Sequence, residues 1–241
     1  MTHILIVGAG DYVGAAIARR FARGGWTVSM GRRRGAALAP LVDEITRDGG
    51  TAFAHSMDAR DEASVAAVFA KAEAVAPLDV VVFNVGGNVR FPIRDTTARV
   101  FRKVWEMACF GGFLSGRAAA NVMVARGEGC IFFTGATASM RGGNGFAAFA
   151  SAKGALRNLA QSMARELGPQ GIHVAHLIID AAVDTAWVRE IIAKRGDDPD
   201  ALEQDTLMKP TSVADAYWAL AHQPRDAWTF EMDIRPYKET W

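Results

Sequence analysis

Six short, predominantly apolar runs recur along the chain, at residues 4–7, 27–30, 51–55, 80–83, 131–134 and 174–179. Between them, residues 13–23, 36–48, 61–75, 98–126 and 146–167 carry apolar side chains at helical spacing. A strand buried on both faces reads as a near-continuous apolar run and not as an alternating one, and these runs follow that pattern. Such strands alternating with helices predict an α/β fold: a doubly wound, mostly parallel sheet with helices on both faces and right-handed crossovers. A further strand at 228–234 brings the expected count to about seven. With 241 residues, half of them apolar, the chain has material for one sizeable core and little for two, so residues 1–241 are read as one domain. The long connection at 186–210, polar and acidic over 196–205, is expected to act as a lid or substrate-binding insertion before a final helix.

Composition narrows the partners. A formal net charge of +1 gives no broad field for nucleic acid or an anionic membrane, and neither is expected as a partner. No apolar run approaches the roughly 18 residues that span a bilayer, and the start lacks a signal-peptide pattern, so a cytoplasmic protein is expected. Cys109 and Cys130 lie in apolar surroundings without CxxC or Cys/His spacing. They read as free thiols, and no metal site is expected.

The first run is followed directly by Gly8-Ala9-Gly10-Asp11-Tyr12-Val13-Gly14, which opens the first helix. Glycines in this place permit a tight turn and close backbone approach to a pyrophosphate, while the helix N-terminus supplies free N–H groups and a positive dipole end. Gly8, Gly10, Asp11, Tyr12, Val13 and Gly14 are therefore the expected phosphate turn of a dinucleotide site, and the fold becomes a Rossmann-type sheet. After the second run, an NAD-selective unit places a carboxylate to hold the ribose 2′-hydroxyl. Here stand Arg32, Arg33 and Arg34 instead. Guanidiniums take a 2′-phosphate in bidentate fashion, so NADP is favoured over NAD, with Arg32 and Arg33 the better placed. Asp58, after the third run, is a candidate acceptor for the adenine amino group.

These features, with Phe83-Asn84-Val85-Gly86, the helix around Lys153 and the segment 179–185, make the chain resemble a short-chain dehydrogenase/reductase over nearly its whole length. The resemblance implies that Asp58 and Ala59 flank the adenine, that Asn84 and Gly86 lie on the adenosine side, that Lys153 holds the nicotinamide ribose, and that Val183 and Thr185 hold the carboxamide. It also exposes departures. The family's reductases carry a tyrosine four residues before the lysine, a serine thirteen before that tyrosine, and an asparagine in the preceding long helix. Those positions fall here on Phe149, Ala136 and Ala108. Tyr12 replaces a glycine of the turn, and Asp180-Ala181 stands in place of a proline-glycine pair.

Phenylalanine cannot give a proton and alanine cannot polarise a carbonyl. A positioned general acid is worth about 10²- to 10⁴-fold and an oxyanion donor about 10²- to 10³-fold, so ordinary carbonyl reduction would be badly impaired. Lys153 is expected to anchor the ribose, with proton donation by a desolvated Lys153 as the alternative. Replacement donors would come from Asn88, Thr137, Ser139, Asn144 or Asp180 at the same mouth of the sheet, with Trp187 and Phe146 lining a pocket or packing the core. His173 and His176 read as satisfied sheet histidines. The expected function is an NADP-dependent oxidoreductase with a nonstandard proton donor, acting on a small apolar carbonyl, enoyl or imine substrate. The alternative is a nucleotide-binding protein without redox turnover, a sensor or partner subunit. Apolar residues beyond one face of the 98–126 and 146–167 helices predict a homodimer or homotetramer.

Overall fold

The computed structural model describes residues 2–239. Seven strands form one sheet: β1 (His3–Val7), β2 (Thr27–Arg32), β3 (Thr51–Ser56), β4 (Val80–Phe83), β5 (Gly129–Thr134), β6 (Ile172–Ile179) and β7 (Glu231–Ile234). Their order is β3-β2-β1-β4-β5-β6-β7, and every neighbouring pair is parallel. The chain winds outward from β1 in one direction and from β4 in the other. The crevice beyond the C-terminal ends of β1 and β4 is thus the topological switch point, where ligands of open α/β sheets bind.

The apolar runs of the central strands are explained by burial on both faces, whereas β3, expected from its run to be buried, lies at the sheet edge and is largely exposed. Ile4, Ile6, Val80, Val82 and Phe132 point to one side, where they pack with helices α1 (Val13–Arg23), α2 (Ala39–Arg47) and α8 (Pro210–Ala221). Leu5, Val7, Val81, Phe83, Ile131 and Phe133 point to the other. They meet α3 (Glu62–Val75), α5 (Gly111–Met123) and α6 (Ala147–Leu167). Fully burying one such side chain contributes about 1.5–3 kcal/mol, so two filled faces fix the register of every central strand.

The structure corrects several boundaries. The 36–48 helix divides into a 3-10 turn, Gly35–Leu38, and α2, which starts where Pro40 can occupy a first-turn position. The 98–126 helix divides into α4 (Ala98–Trp105), a π-turn at Glu106–Phe110, and α5. Periodicity misses such a turn because one extra residue shifts the apolar face without interrupting it. Gly111 and Gly112 seat the segment after the turn: a Cβ on Gly112 would lie 2.4 Å from Leu156 Cδ1, and one on Gly111 would lie 3.0 Å from the Ala59 carbonyl oxygen. The last strand begins at Glu231, not at 228, because Trp228 turns to stack on the His173 ring, 5.0 Å between centroids. The 186–210 connection holds α7 (Ala186–Lys194) and an irregular stretch, tied to the sheet end by a bridge between Val183 and Met208. Among the described residues, no helix is long and apolar enough to cross a membrane.

Candidate active site

Two cavities open at the switch point and meet along Asn84, Val85 and Gly86. The first, about 590 Å³, is floored by Gly8 and Gly10 and walled by Arg32, Arg33, Arg34, Asp58, Ala59 and Arg60. Gly8 has φ +89°, and a Cβ there would come within 3.0 Å of the Asn84 backbone. A Cβ on Gly14 would lie 2.7 Å from Ala9 Cα, so only glycine lets α1 start this close to β1. At Gly10 nothing stands within 4 Å of a Cβ position, and no side chain caps α1. An open floor of glycines beside uncapped helix N–H groups is a cradle that fits a pyrophosphate.

The arginines give the outer half of this cavity its charge. Arg32 pairs with Asp11 at 2.9 Å, which fixes it beside the turn. Asp58 is clamped by Arg60, Nε to Oδ1 at 3.0 Å and Nη2 to Oδ2 at 2.7 Å, and also accepts the Arg60 backbone N–H. This pairing holds the Asp58 carboxyl down to about 2. Arg60 was not singled out from the sequence, and Arg34 was named there only beside the better-placed Arg32 and Arg33. Their signal was weak, since Arg60 lies on a turn where spacing says nothing about facing.

Asp11, Val13 and Gly14 shape the turn from outside the cavity lining. Tyr12, expected to fill the turn, instead swings its ring outward, and its hydroxyl accepts the Ala186 N–H of α7 at 3.0 Å. Thr185 does not line either cavity: its Oγ1 caps α7 by accepting the Val188 N–H at 3.1 Å.

The second cavity, about 510 Å³, contains Lys153. Its ammonium is buried, donating to the Thr134 carbonyl at 2.7 Å and the Val85 carbonyl at 3.4 Å. No carboxylate pairs with it among the described residues, and burial pushes it down to about 8. Thr134 is a junction. Its hydroxyl meets the buried Tyr217 hydroxyl at 2.6 Å and Asn84 Oδ1 at 3.1 Å, while Asn84 Nδ2 donates to the Gly8 carbonyl at 3.2 Å. Lys153 is thereby linked through one chain of hydrogen bonds to the glycine turn.

Around Lys153 the wall is apolar. Ala108, within the π-turn, packs with Val104, Ala148, Phe149 and Ala152 in a small buried cluster, with Ala136 and Phe146 against it. Ala108, Ala136 and Phe149 are thus brought together beside Lys153, the Phe149 ring centroid 6.0 Å from Nζ. The expected substitute donors separate. Thr137 lines the cavity, but its hydroxyl donates to Asp180 Oδ1 at 2.5 Å. Ser139 is buried outside the cavity and donates to the Ala136 carbonyl at 2.6 Å. Asn144 and the exposed Trp187 also lie outside it. Asp180 is buried behind the wall, facing Thr137, Arg141 and Arg235. Asn88 lines the cavity, and its amide makes no hydrogen bond among the described residues. His176, behind Gly135, lies 3.4 Å from the Glu231 carboxylate, yet burial outweighs that charge and pushes the imidazole down to about 4. Glu231 is itself held in a bidentate pair by Arg157, both distances 2.6 Å. Arg141 and Val183 complete the lining.

Compared with known proteins, residues 2–196 match the family described as short chain dehydrogenase. A solved short-chain dehydrogenase from Rhodopseudomonas palustris is 57% identical with a TM-score of 0.85, over 98% of this chain and 99% of that one. An alcohol dehydrogenase from the archaeon Thermococcus sibiricus, solved in complex with 5-hydroxy-NADP, is 26% identical with a TM-score of 0.86, over 100% and 98%. An inactive 2-(S)-hydroxypropyl-CoM dehydrogenase 2 from Xanthobacter autotrophicus is 31% identical over 182 residues, 75% of this chain and 78% of that protein.

Proposed function

The chain belongs to the short-chain dehydrogenase/reductase family of oxidoreductases, and from that premise we propose that it is an NADP-dependent member with a nonstandard proton donor. Its substrate is a small carbonyl, enoyl or imine compound with an apolar body. The observation that carries this reading is the contrast along one continuous crevice: an arginine-walled glycine cradle leading to a buried Lys153 whose neighbours are Phe149, Ala136 and Ala108.

On this reading Gly8, Gly10 and the start of α1 hold the pyrophosphate, and Arg32 and Arg33 take the 2′-phosphate, with Arg34 and Arg60 adding to the positive field. Asp58, Ala59, Asn84 and Gly86 flank the adenosine, while Lys153, Val183 and Thr185 bound the nicotinamide end. NADPH, when bound, would supply the hydride. Phe149, Ala136 and Ala108 occupy the positions of the family's tyrosine, serine and asparagine, so the wall excludes water and offers no acid. Asn88 is a neutral polar group of the cavity whose side-chain donors are not already engaged, and it orients the substrate. The acid is then Lys153, whose lowered affinity for its proton suits donation near neutral pH better than an exposed lysine's would. Residues 186–210 serve as the lid over a single dinucleotide-binding domain. The half-exposed Phe101, Trp105 and Phe113, two of them stacked with Phe110, supply the face for a homodimer or homotetramer.

The inactive relative favours one further reading, a nucleotide-binding protein without redox turnover. Titration with NADPH, paired with turnover panels of carbonyl, enoyl and imine compounds, decides between the two. Binding with turnover of any substrate supports the enzyme; binding with none across the panels supports the sensor or partner subunit.

A further inference from the structure

The second cavity carries a charge pattern that its apolar wall does not explain. Its charged lining side chains are Lys153 and Arg141, both cations, and no carboxylate lines it among the described residues. Lys153 is turned inward onto two backbone carbonyls. Arg141 stands nearer the mouth, its side chain 44% exposed.

Arg141 is held from behind. Its Nη1 and Nη2 face Asp180 Oδ2 and Oδ1, both at 3.4 Å. Asp180 is 1% exposed, at the end of β6, and is fixed by the Thr137 hydroxyl at 2.5 Å and approached by the Arg235 guanidinium at 3.6 Å. A buried carboxylate is costly unless compensated, and here its compensation is to hold guanidiniums in place. A guanidinium has five N–H donors in a planar fork. Asp180 engages two of Arg141's, and the Arg141 side chain makes no other hydrogen bond among the described residues. The donors left over belong to a cation fixed at the rim of a cavity whose inner wall is Phe146, Phe149 and Ala136.

We propose that Arg141 anchors a carboxylate on the substrate, which is therefore a small acid with an apolar body, its charged end on Arg141 and its body against Phe146 and Phe149. A planar fork matches a carboxylate in geometry, and one guanidinium already facing one carboxylate matches a monoanion better than a phosphate dianion. Asp180 is a positioning residue that acts through Arg141. The nature of the reducible centre rests on the proposed function; the anchor does not.

The test is calorimetric titration of the whole protein, alone and saturated with NADP, with phenylacetate and with its uncharged methyl ester. Phenylacetate is expected to bind at least about tenfold more tightly than the ester, a difference of about 1.4 kcal/mol. Arg141→Gln should abolish the preference, and Arg141→Lys, which keeps charge without the fork, should retain part of it. Both variants should leave the NADP titration unchanged, a control that also reports folding. Equal affinities of acid and ester, no binding of phenylacetate at about 10 mM, or a preference that survives Arg141→Gln would each overturn the anchor. If NADP gives no heat while the acid preference stands, the oxidoreductase reading falls and the anchor holds; if NADP binds and acid and ester are equal, the anchor alone falls.

Discussion

The two cavities sit side by side on one sheet and are built on opposite principles. The first is polar and crowded with fixed charge: four arginines, a carboxylate locked by Arg60, and Gly8, where a Cβ would press on the Asn84 backbone. The second has a buried ammonium, without a carboxylate partner among the described residues, beside alanines and phenylalanines, and the hydroxyls of Thr137 and Ser139 are turned onto Asp180 and the Ala136 carbonyl. A binding site needs complementary charge that persists, whereas acid-base catalysis needs a proton donor at one position. On the function proposed above, the arginines and the glycine turn serve the first requirement, and Lys153 alone serves the second, with Asn88 a neutral hydrogen-bond donor beside it.

The largest expected effect comes from filling the gap. Phe149→Tyr with Ala136→Ser places an acid beside Lys153 and a donor across the cavity, and should raise turnover of a small ketone by at least about 10²-fold, on the scale of a positioned general acid. Steady-state NADPH oxidation measures it. If the double variant stays at the wild-type rate, the two cavities differ by more than hydroxyl groups, and Ala108 with its π-turn becomes the next position to restore.

Next in size is the other cavity. Arg32→Gln with Arg33→Gln should weaken NADPH by about 10²-fold, two charge-assisted hydrogen bonds being worth about 1.5–3 kcal/mol each before the remaining arginines compensate. NADH, without the 2′-phosphate, should change little. Comparable losses for both cofactors would mean that these arginines hold the turn through Asp11 and do not read the phosphate.

These contrasts were unequally legible in the sequence. The sheet was readable because strands buried on both faces leave uninterrupted apolar runs, and the glycine turn because Gly8 and Gly14 tolerate no Cβ. Lys153, Phe149 and Ala136 could be set beside one another by spacing on a strand, loop and helix. Ala108 was assignable only through resemblance, since the π-turn that carries it leaves no periodic trace. The arrangement of Asp180, Thr137 and Arg141 was not legible. It depends on a loop after β5 folding back to the end of β6, a contact between residues 43 apart in the case of Thr137 and Asp180, and local pattern carries no information on such pairing. Ser139 was misplaced for the same reason: whether a loop hydroxyl faces a cavity or its own turn is decided by backbone angles.

The unpaired ammonium also predicts a pH signature. The folded-state pKa of Lys153 lies near 8, below its ordinary 10.5, so between these values the unfolded chain binds the extra proton and stability contributed by this site rises with pH, by about 1.4 kcal/mol per unit. Cys130 and Tyr217, whose burial pushes their ionisation up, act in the opposite sense above pH 9. The difference between wild type and Lys153→Met isolates the lysine. In urea unfolding from pH 7.5 to 9.5, wild type should gain about 2 kcal/mol relative to the variant. A flat difference would mean that the ammonium is solvated in solution, and the second cavity would then be wetter and less apolar than the first.

The smallest effect concerns the contact that joins the glycine turn to α7, the start of the segment proposed as a lid. Tyr12 stands where a glycine would leave the turn bare, and its hydroxyl accepts the Ala186 N–H, one of the donors that the start of α7 leaves open. Thr185 satisfies the Val188 N–H of the same turn, so losing the tyrosine hydroxyl would free only one donor, and that donor is exposed to water. Tyr12→Phe should therefore cost about 1 kcal/mol of local stability. Hydrogen exchange at the Ala186 amide should speed up by about fivefold, with β1 and β4 amides unchanged. NADP should restore part of the protection if residues 186–210 close over it, because closure would order α7 from the other side. If exchange at Ala186 is indifferent to both the substitution and the nucleotide, the turn and the lid move independently, and the coupling between the two halves of the crevice would run only through Asn84 and Thr134.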